Sequence, residues 1–236
     1  MNKLVIIVPT LNEESNIENL IKKIFNESKF FNILFIDDGS KDKTQFLIKK
    51  YKKQFKNINY IFRKNKSGIG SAHKHALKYC FKKKYKYIVT MDADGTHNPN
   101  MIPKMMDIMK RKNAHVVNTS RFVLKNSLSD WPLTRKIMTY TRHYLLKLFL
   151  GLEFDASGAF RLYDTKKVKL SNILLAKNDR YAFFWESLNI LKIKNNTILE
   201  IPIHLPFRIN GSSKMKFSDI LYSLIYLIVI SFKKYL

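Results

Sequence analysis

Five short apolar runs punctuate the first half of the chain, at residues 4–8, 33–36, 58–62, 87–91 and 116–119, with helical patterns between them. Runs this short suit strands buried on both faces. Ile17, Leu20, Ile21, Ile24 and Phe25 fall at i, i+3, i+4, i+7 and i+8, which is one face of a helix. Strand–helix alternation of this kind leaves few options: a single α/β domain with a mostly parallel sheet and helices on both of its faces. Asn12 or Ser15 is suited to cap the first helix.

The polar signals of this half gather where strands end. "PTLNEE" follows the first run, "DDGSKDKT" the second and "DADGTHNP" the fourth. Ligands of open α/β sheets bind beyond the carboxyl ends of the strands. The three loops are therefore expected to share one rim, with a site between them.

The second half is less regular. A helix is expected from about residue 134 to 150, closed by Gly151 as its C-cap. "SGAFRLY" reads as a strand, residues 181–191 as a helix, and "TILEIPIHLPF" as a strand with polar residues between apolar ones. No repeat or low-complexity linker marks a boundary; residues 1–216 read as one domain and 217–236 as an apolar C-terminal helix. Eleven of the thirteen residues in "ILYSLIYLIVISF", 220–232, are strongly apolar or tyrosine. As a helix this stretch is about 20 Å long, short of the roughly 30 Å of a bilayer core. Lys214, Lys216, Lys233 and Lys234 flank it, which suits an interfacial helix at a membrane surface. A helix that closes the core or binds a partner fits the same residues.

Charge and cysteine content narrow the class. The 236 residues include 43 basic and 18 acidic ones, for a net charge of +25. Such an excess suits anionic partners, although runs such as Lys82 to Lys84 equally describe a solvated surface. No RNP-like, zinc-finger or helix-turn-helix pattern is present, so nucleic acid is not an expected partner. Cys80 stands alone, which excludes an internal disulfide and suits a reducing compartment. The first apolar stretch is too short for a signal peptide, and Asn12, Glu13 and Glu14 follow it directly. The expected location is cytoplasmic, peripheral at the cytoplasmic face of a membrane.

Asp92 and Asp94 are the sharpest local signal. Residues at i and i+2 of an extended segment point to one side, so both carboxylates can face one ligand. Mg²⁺ takes one or two carboxylates and completes its shell with water and phosphate oxygens. Two turn-forming Asp side chains bonded to backbone explain the same pair. Asp37 and Asp38 form a second acidic pair, suited to a nucleobase or ribose, or to an Asx turn with Asp42 and Thr44 as helix caps. Gly68 and Gly70 precede a helix, where amides can approach a phosphate or simply allow a tight turn into the helix.

"IVPTLNEESNI", "IDDGSKDKT", "GIGSAHKHA", "MDADGTHNP", "SRF", "SGAFRLY" and "RINGSSK" occur in that order and cover residues 5 to about 214. Together they resemble the family 2 glycosyltransferases, and within them the dolichol- or polyprenol-phosphate mannosyltransferases. The resemblance implies a GT-A, Rossmann-like nucleotide-diphospho-sugar fold and inversion at the anomeric carbon. It implies that Pro9, Thr10, Asn12, Glu13, Asp38 and Gly70 hold the nucleotide sugar, and that Asp92 and Asp94 bind Mg²⁺ or Mn²⁺. It further implies that Arg121, Arg135, Arg208 and Lys214 face phosphates, and that Glu186 orients a sugar or an arginine. Thr96 departs from the family, which often has Gln or Ser at that position.

The implied partners are a nucleoside-diphosphate sugar (GDP-mannose first, UDP-glucose second), polyprenyl phosphate and a membrane surface. A lipid phosphate is already an anion and needs no base, only cations, for which arginine's fork is suited. The same arginines also suit surface ion pairs. A hydroxyl acceptor on a polysaccharide or glycolipid needs a general base, and Glu186 or Asp155 is then the candidate. A more distant alternative is a basic, non-catalytic module. His97 reads as turn structure, and Phe184 and Trp185 as core.

Overall fold

The computed structural model describes residues 4–206, 214–215 and 217–232. Arg208, assigned above to phosphate, lies outside them, as do Lys216, Lys233 and Lys234. The first half runs β1 (Leu4–Thr10), α1 (Glu14–Glu27), β2 (Asn32–Asp37), α2 (Thr44–Gln54), β3 (Ile58–Phe62), α3 (Ile69–Lys82), β4 (Tyr87–Thr90), α4 (Met101–Arg111) and β5 (Val116–Ser120). After it come α5 (Leu133–Leu150), β6 (Arg161–Asp164), α6 (Leu170–Leu174), α7 (Phe183–Ile193), β7 (Ile198–Pro202) and α8 (Phe217–Ser231).

The sheet order is β3-β2-β1-β4-β6-β5-β7. Every ladder is parallel except those of β6, which runs antiparallel to both β4 and β5. β1 shows why its run is apolar without alternation. Leu4, Ile6 and Val8 face a core shared with α1, α2 and α4, whereas Val5 and Ile7 face a second core built with α3 and α7. Both faces are covered, so each residue of the strand is buried.

The antiparallel strand shapes the site. Thr90, at the end of β4, pairs with Arg161, at the start of β6. An antiparallel strand brings its amino end to the rim where the parallel strands bring their carboxyl ends. The loop over residues 155–160 therefore arrives beside the loops that follow β1, β4 and β5.

One local expectation needs correction. Neither Asn12 nor Ser15 caps α1; Glu13 occupies the N-cap position without a side-chain cap bond. Asn12 adopts a left-handed conformation, φ 53°, and its Oδ1 accepts from Lys41 N at 2.8 Å instead. The C-terminal helix also divides its surface. Leu227 and Ile230 are buried in the core, while Phe217 and Phe232 are 78% and 83% exposed. Gly151 ends α5 in the left-handed region, as expected.

Candidate active site

The carboxyl ends of β1, β2, β4 and β5 open on one cleft of about 1160 Å³. Pro9, Thr10, Glu13, Asp38, Asp92, Asp94, Arg121, Arg135 and Lys214 line it. Asn12, Gly70 and Glu186 do not, and each has a physical reason.

Asn12 belongs to a lattice that binds the loops after β1 and β2 to each other. Asn12 N donates to Ser40 Oγ at 2.8 Å, Glu13 N to Thr44 Oγ1 at 2.8 Å, and Glu14 N to Asp42 Oδ2 at 3.1 Å. Lys43 N donates back to Glu14 Oε2 at 2.8 Å. Asp37 is buried beneath this lattice, where it accepts from Thr10 Oγ1, Gln45 Nε2, the Gly39 and Ser40 amides and the Ser40 hydroxyl. It is the turn-forming member of its pair. Asp38 faces the cleft, meets Arg63 Nη1 at 3.1 Å and accepts from the Ser67 and Gly68 amides. It thus fixes the loop before α3.

Gly70 answers to packing. A Cβ there would meet Phe183 Cβ at 2.6 Å, Arg180 O at 2.8 Å and Asn178 O at 2.9 Å. The start of α3 therefore lies directly against the 178–183 segment, and the glycine permits that approach. Glu186 is fully buried and accepts from Lys177 N, Asn178 N and Tyr226 Oη at 3.0, 2.9 and 2.8 Å. It ties this segment to α8 and does not line the cleft. Trp185 and Phe184 are core residues whose edges reach the cleft wall, and Trp185 Nε1 donates to Ser223 Oγ at 3.2 Å.

Asp92 and Asp94 both reach the cleft, and the Asp92 side chain is 39% exposed. His97 Nδ1 accepts the Asp92 amide at 2.9 Å, and its ring stacks on Phe160. It shapes the loop, as expected of turn structure. Asp94 Oδ1 accepts from Thr96 N at 3.0 Å and Thr96 Oγ1 at 2.6 Å. Thr96 therefore braces a candidate metal ligand rather than serving as one. No group of three or more His, Cys, Asp or Glu side chains able to hold a metal ion occurs among the described residues. Two cleft-facing carboxylates with hard oxygen donors fit a Mg²⁺ or Mn²⁺ ion whose remaining ligands are water and phosphate.

Next to this acidic pair lies a basic cluster. Arg121 donates Nε to Asp155 Oδ2 at 2.7 Å, and Nη2 to Asp155 Oδ1 at 2.6 Å and Ser157 Oγ at 2.5 Å. Burial alone would raise the Asp155 carboxyl, but the charge and hydrogen bonds of Arg121 hold it at about 2. The Arg135 guanidinium lies 3.9 Å from the centre of the Trp131 ring. Arg142, one α5 face along from Arg135, also lines the cleft. No motif pointed to it, although the seven-residue spacing from Arg135 puts the two on one side of the helix.

Beyond the arginines the cleft turns apolar, walled by Leu145 and Leu146 of α5 and Leu224 and Leu227 of α8. The outer sides of the same helices are apolar too. Leu133, Ile137, Tyr140, Tyr144 and Leu148 are exposed on α5, and Phe217, Leu221, Ile225, Ile228 and Phe232 at or beside α8. Each set follows three- and four-residue steps, so each forms one stripe. No helix among the described residues is long and apolar enough to cross a membrane.

The family model for glycosyl transferase family 2 matches residues 5–170. A polyprenol monophosphomannose synthase of Mycolicibacterium smegmatis is 25% identical over 224 residues, covering 92% of this chain and 83% of the relative. An undecaprenyl-phosphate mannosyltransferase of Micrococcus luteus is 24% identical over 214 residues, covering 90% of this chain and 87% of its own. Among solved structures, glucosyl-3-phosphoglycerate synthase of Mycobacterium tuberculosis, with Mn²⁺, uridine diphosphate and phosphoglyceric acid, superposes with a TM-score of 0.70 at 14% identity. That match covers 99% of this chain and 80% of the other. The same enzyme with Mg²⁺ and uridine diphosphate gives a TM-score of 0.65 at 13% identity, over 96% and 79% of the two chains.

Proposed function

The chain belongs to glycosyl transferase family 2, and from that premise we propose that it transfers a hexosyl group to the phosphate of a polyprenyl phosphate. Mannose from GDP-mannose is the first donor and glucose from UDP-glucose the second. The names of the two mannosyltransferase relatives support the acceptor and the sugar.

The observation that carries this reading is the order of chemistry along one cleft: an acidic pair, then an arginine cluster, then an apolar gutter between α5 and α8. These suit a metal-bound diphosphate, an acceptor phosphate and an isoprenoid chain respectively. Glu13, Asp38, Pro9 and Thr10 line the part suited to the nucleoside. Asp92 and Asp94 would hold a divalent cation, which would supply positive charge beside the departing diphosphate. Arg121, Arg135 and Lys214 face the same cleft and offset the repulsion between two phosphate-bearing substrates.

In the reaction, a phosphate oxygen of the acceptor attacks the anomeric carbon as the bond from that carbon to the diphosphate oxygen breaks. The nucleoside diphosphate leaves with the bonding electrons, and the configuration inverts. The acceptor brings no proton that must be removed. Neither side chain suited by sequence to a base is placed for that work. Asp155 is ion-paired and held at about 2, and Glu186 is buried against three donors. This favours an acceptor that is already anionic over a sugar hydroxyl.

The acceptor phosphate lies at a bilayer surface, and exposed apolar stripes run along α5 and α8, the helices that wall the gutter. We place the protein peripherally on the cytoplasmic face, consistent with its single, buried cysteine. A panel of labelled nucleotide sugars, each offered with polyprenyl phosphate in vesicles, tests the whole reading. Label from GDP-mannose should enter the organic phase as a polyprenyl phosphate ester. Label found only on a hydroxyl-bearing glycolipid or polysaccharide would replace this acceptor with the alternative one.

A further inference from the structure

Arg142 stands apart from the other cleft arginines. Arg121 is held by Asp155 and Ser157, and Arg135 lies on Trp131. The Nε of Arg142 is buried with no hydrogen-bond partner among the described residues. A buried donor left in this state destabilises the fold unless a ligand supplies the acceptor. Burial and the charges of Arg121 and Arg135 push this guanidinium down to about 10, with Asp155 opposing. It stays charged at neutral pH. Asp155 is already engaged by Arg121 through two side-chain hydrogen bonds, so Arg142 is open to an anion of its own. A phosphate monoester near neutrality carries about −1.5 to −2.

Position on the helix identifies which phosphate. Leu145 and Leu146 lie three and four residues beyond Arg142 on the same face of α5, and both line the cleft. The step from guanidinium to apolar wall is thus one helical turn, roughly 5 Å. An anion at Arg142 has hydrocarbon-lined space immediately beside it. A nucleoside diphosphate has no apolar group to put there, whereas a prenyl phosphate does.

We infer that Arg142 is an acceptor-binding residue, seating the phosphate of the prenyl substrate with Arg121 while Leu145, Leu146, Leu224 and Leu227 enclose its first isoprene units. This rests on the transfer reaction proposed above. It adds a residue that none of the sequence motifs marks, and it assigns Arg142 to the acceptor rather than to the donor diphosphate.

The test is calorimetric binding of citronellyl phosphate, a soluble short prenyl phosphate, to full-length protein saturated with Mn²⁺ and GDP. GDP-mannose affinity and thermal midpoint are measured alongside. Arg142→Met keeps the apolar stem and loses the charge. It should bind citronellyl phosphate about 30-fold more weakly, as expected for a lost charge-assisted hydrogen bond, and change GDP-mannose affinity less than about threefold. Its midpoint without ligand should equal or exceed that of the native protein, because a buried donor without a hydrogen-bond partner has been removed. Arg142→Lys keeps the charge without the fork and should bind the prenyl phosphate with intermediate affinity.

A variant that binds citronellyl phosphate as the native protein does overturns the assignment. So does one that weakens GDP-mannose equally, or whose lower midpoint accounts for the loss. If Arg142→Met does not fold, the Lys variant decides by the same two affinities. Native protein that binds the prenyl phosphate but never glycosylates it would sink the proposed reaction and leave the seat standing. Native protein that binds no prenyl phosphate sinks both.

Discussion

Replacing Asp155 with Asn removes the anion from the buried ion pair at the centre of the site. The native carboxylate is 1% exposed and receives Arg121 through two side-chain donors and its amide, at 2.7, 2.6 and 3.1 Å. Its pKa is held at about 2, against 3.8 for an ordinary aspartate, because the arginine outweighs the upward push of burial. That displacement corresponds to roughly 2–3 kcal/mol of folding stability. The folded-state value is the lower one, so this stabilisation is complete above about pH 4 and is lost as the pH falls toward 2. Asn cannot ionise. Asp155→Asn should therefore be less stable than the native protein by roughly 2–3 kcal/mol at pH 7, and the gap should close between pH 4 and pH 2. Urea unfolding followed by the fluorescence of Trp131 and Trp185, repeated across that range, measures both quantities. A gap under about 1 kcal/mol at pH 7, the level of an ordinary exposed ion pair, refutes the reasoning. So does a gap that stays constant into acid.

Other perturbations probe the remaining parts of the site. Asp94→Asn should abolish Mn²⁺-dependent GDP-mannose binding, and Thr96→Val, which removes the 2.6 Å brace on Asp94, should weaken metal affinity about tenfold; calorimetry with and without EDTA reads both. Gly70→Ala forces a methyl against two backbone carbonyls below 3.0 Å and should lower unfolding free energy by about 3 kcal/mol, measured by urea titration. Ile225→Glu with Ile228→Glu charges the outer stripe of α8, where both residues are about half exposed. Partition onto anionic vesicles should fall at least about 30-fold if each side chain contributes about 1 kcal/mol in lipid, as sedimentation would show.

The parts of this fold legible in the sequence are those governed by local pattern. The five apolar runs became parallel strands, four of them because a strand covered on both faces needs no polar residue, as β1 illustrates, and β3 as a partly exposed edge. The loops after β1, β2 and β4 met on one rim because parallel strands share a direction. The antiparallel course of β6 was not legible, since its ladder covers only Arg161 to Asp164 on the β4 side and nothing within those residues encodes direction. Asn12, Gly70 and Glu186 carry family positions, but their neighbours come from distant segments. Lys41, Phe183 and Tyr226 decide what each can touch, and periodicity does not reveal such pairings. Arg142 had a readable signal, its spacing from Arg135 on one helix face. Spacing alone did not show that its Nε would lack a partner.

The placement of β6 between β4 and β5 inverts the order of synthesis and the order of assembly. A ribosome delivers β1 to β4 first, and these can form the sheet β3-β2-β1-β4 while β4 remains an open edge. β5 emerges next, yet it cannot join, because its place lies on the far side of a strand not yet made. It waits through all of α5 until residues 161–164 arrive to fill the gap. During that interval the nascent chain presents two unpaired apolar strands together with the exposed side of α5, the combination that invites misassociation in slow-forming sheets. Completion of this side of the sheet thus depends on one four-residue strand.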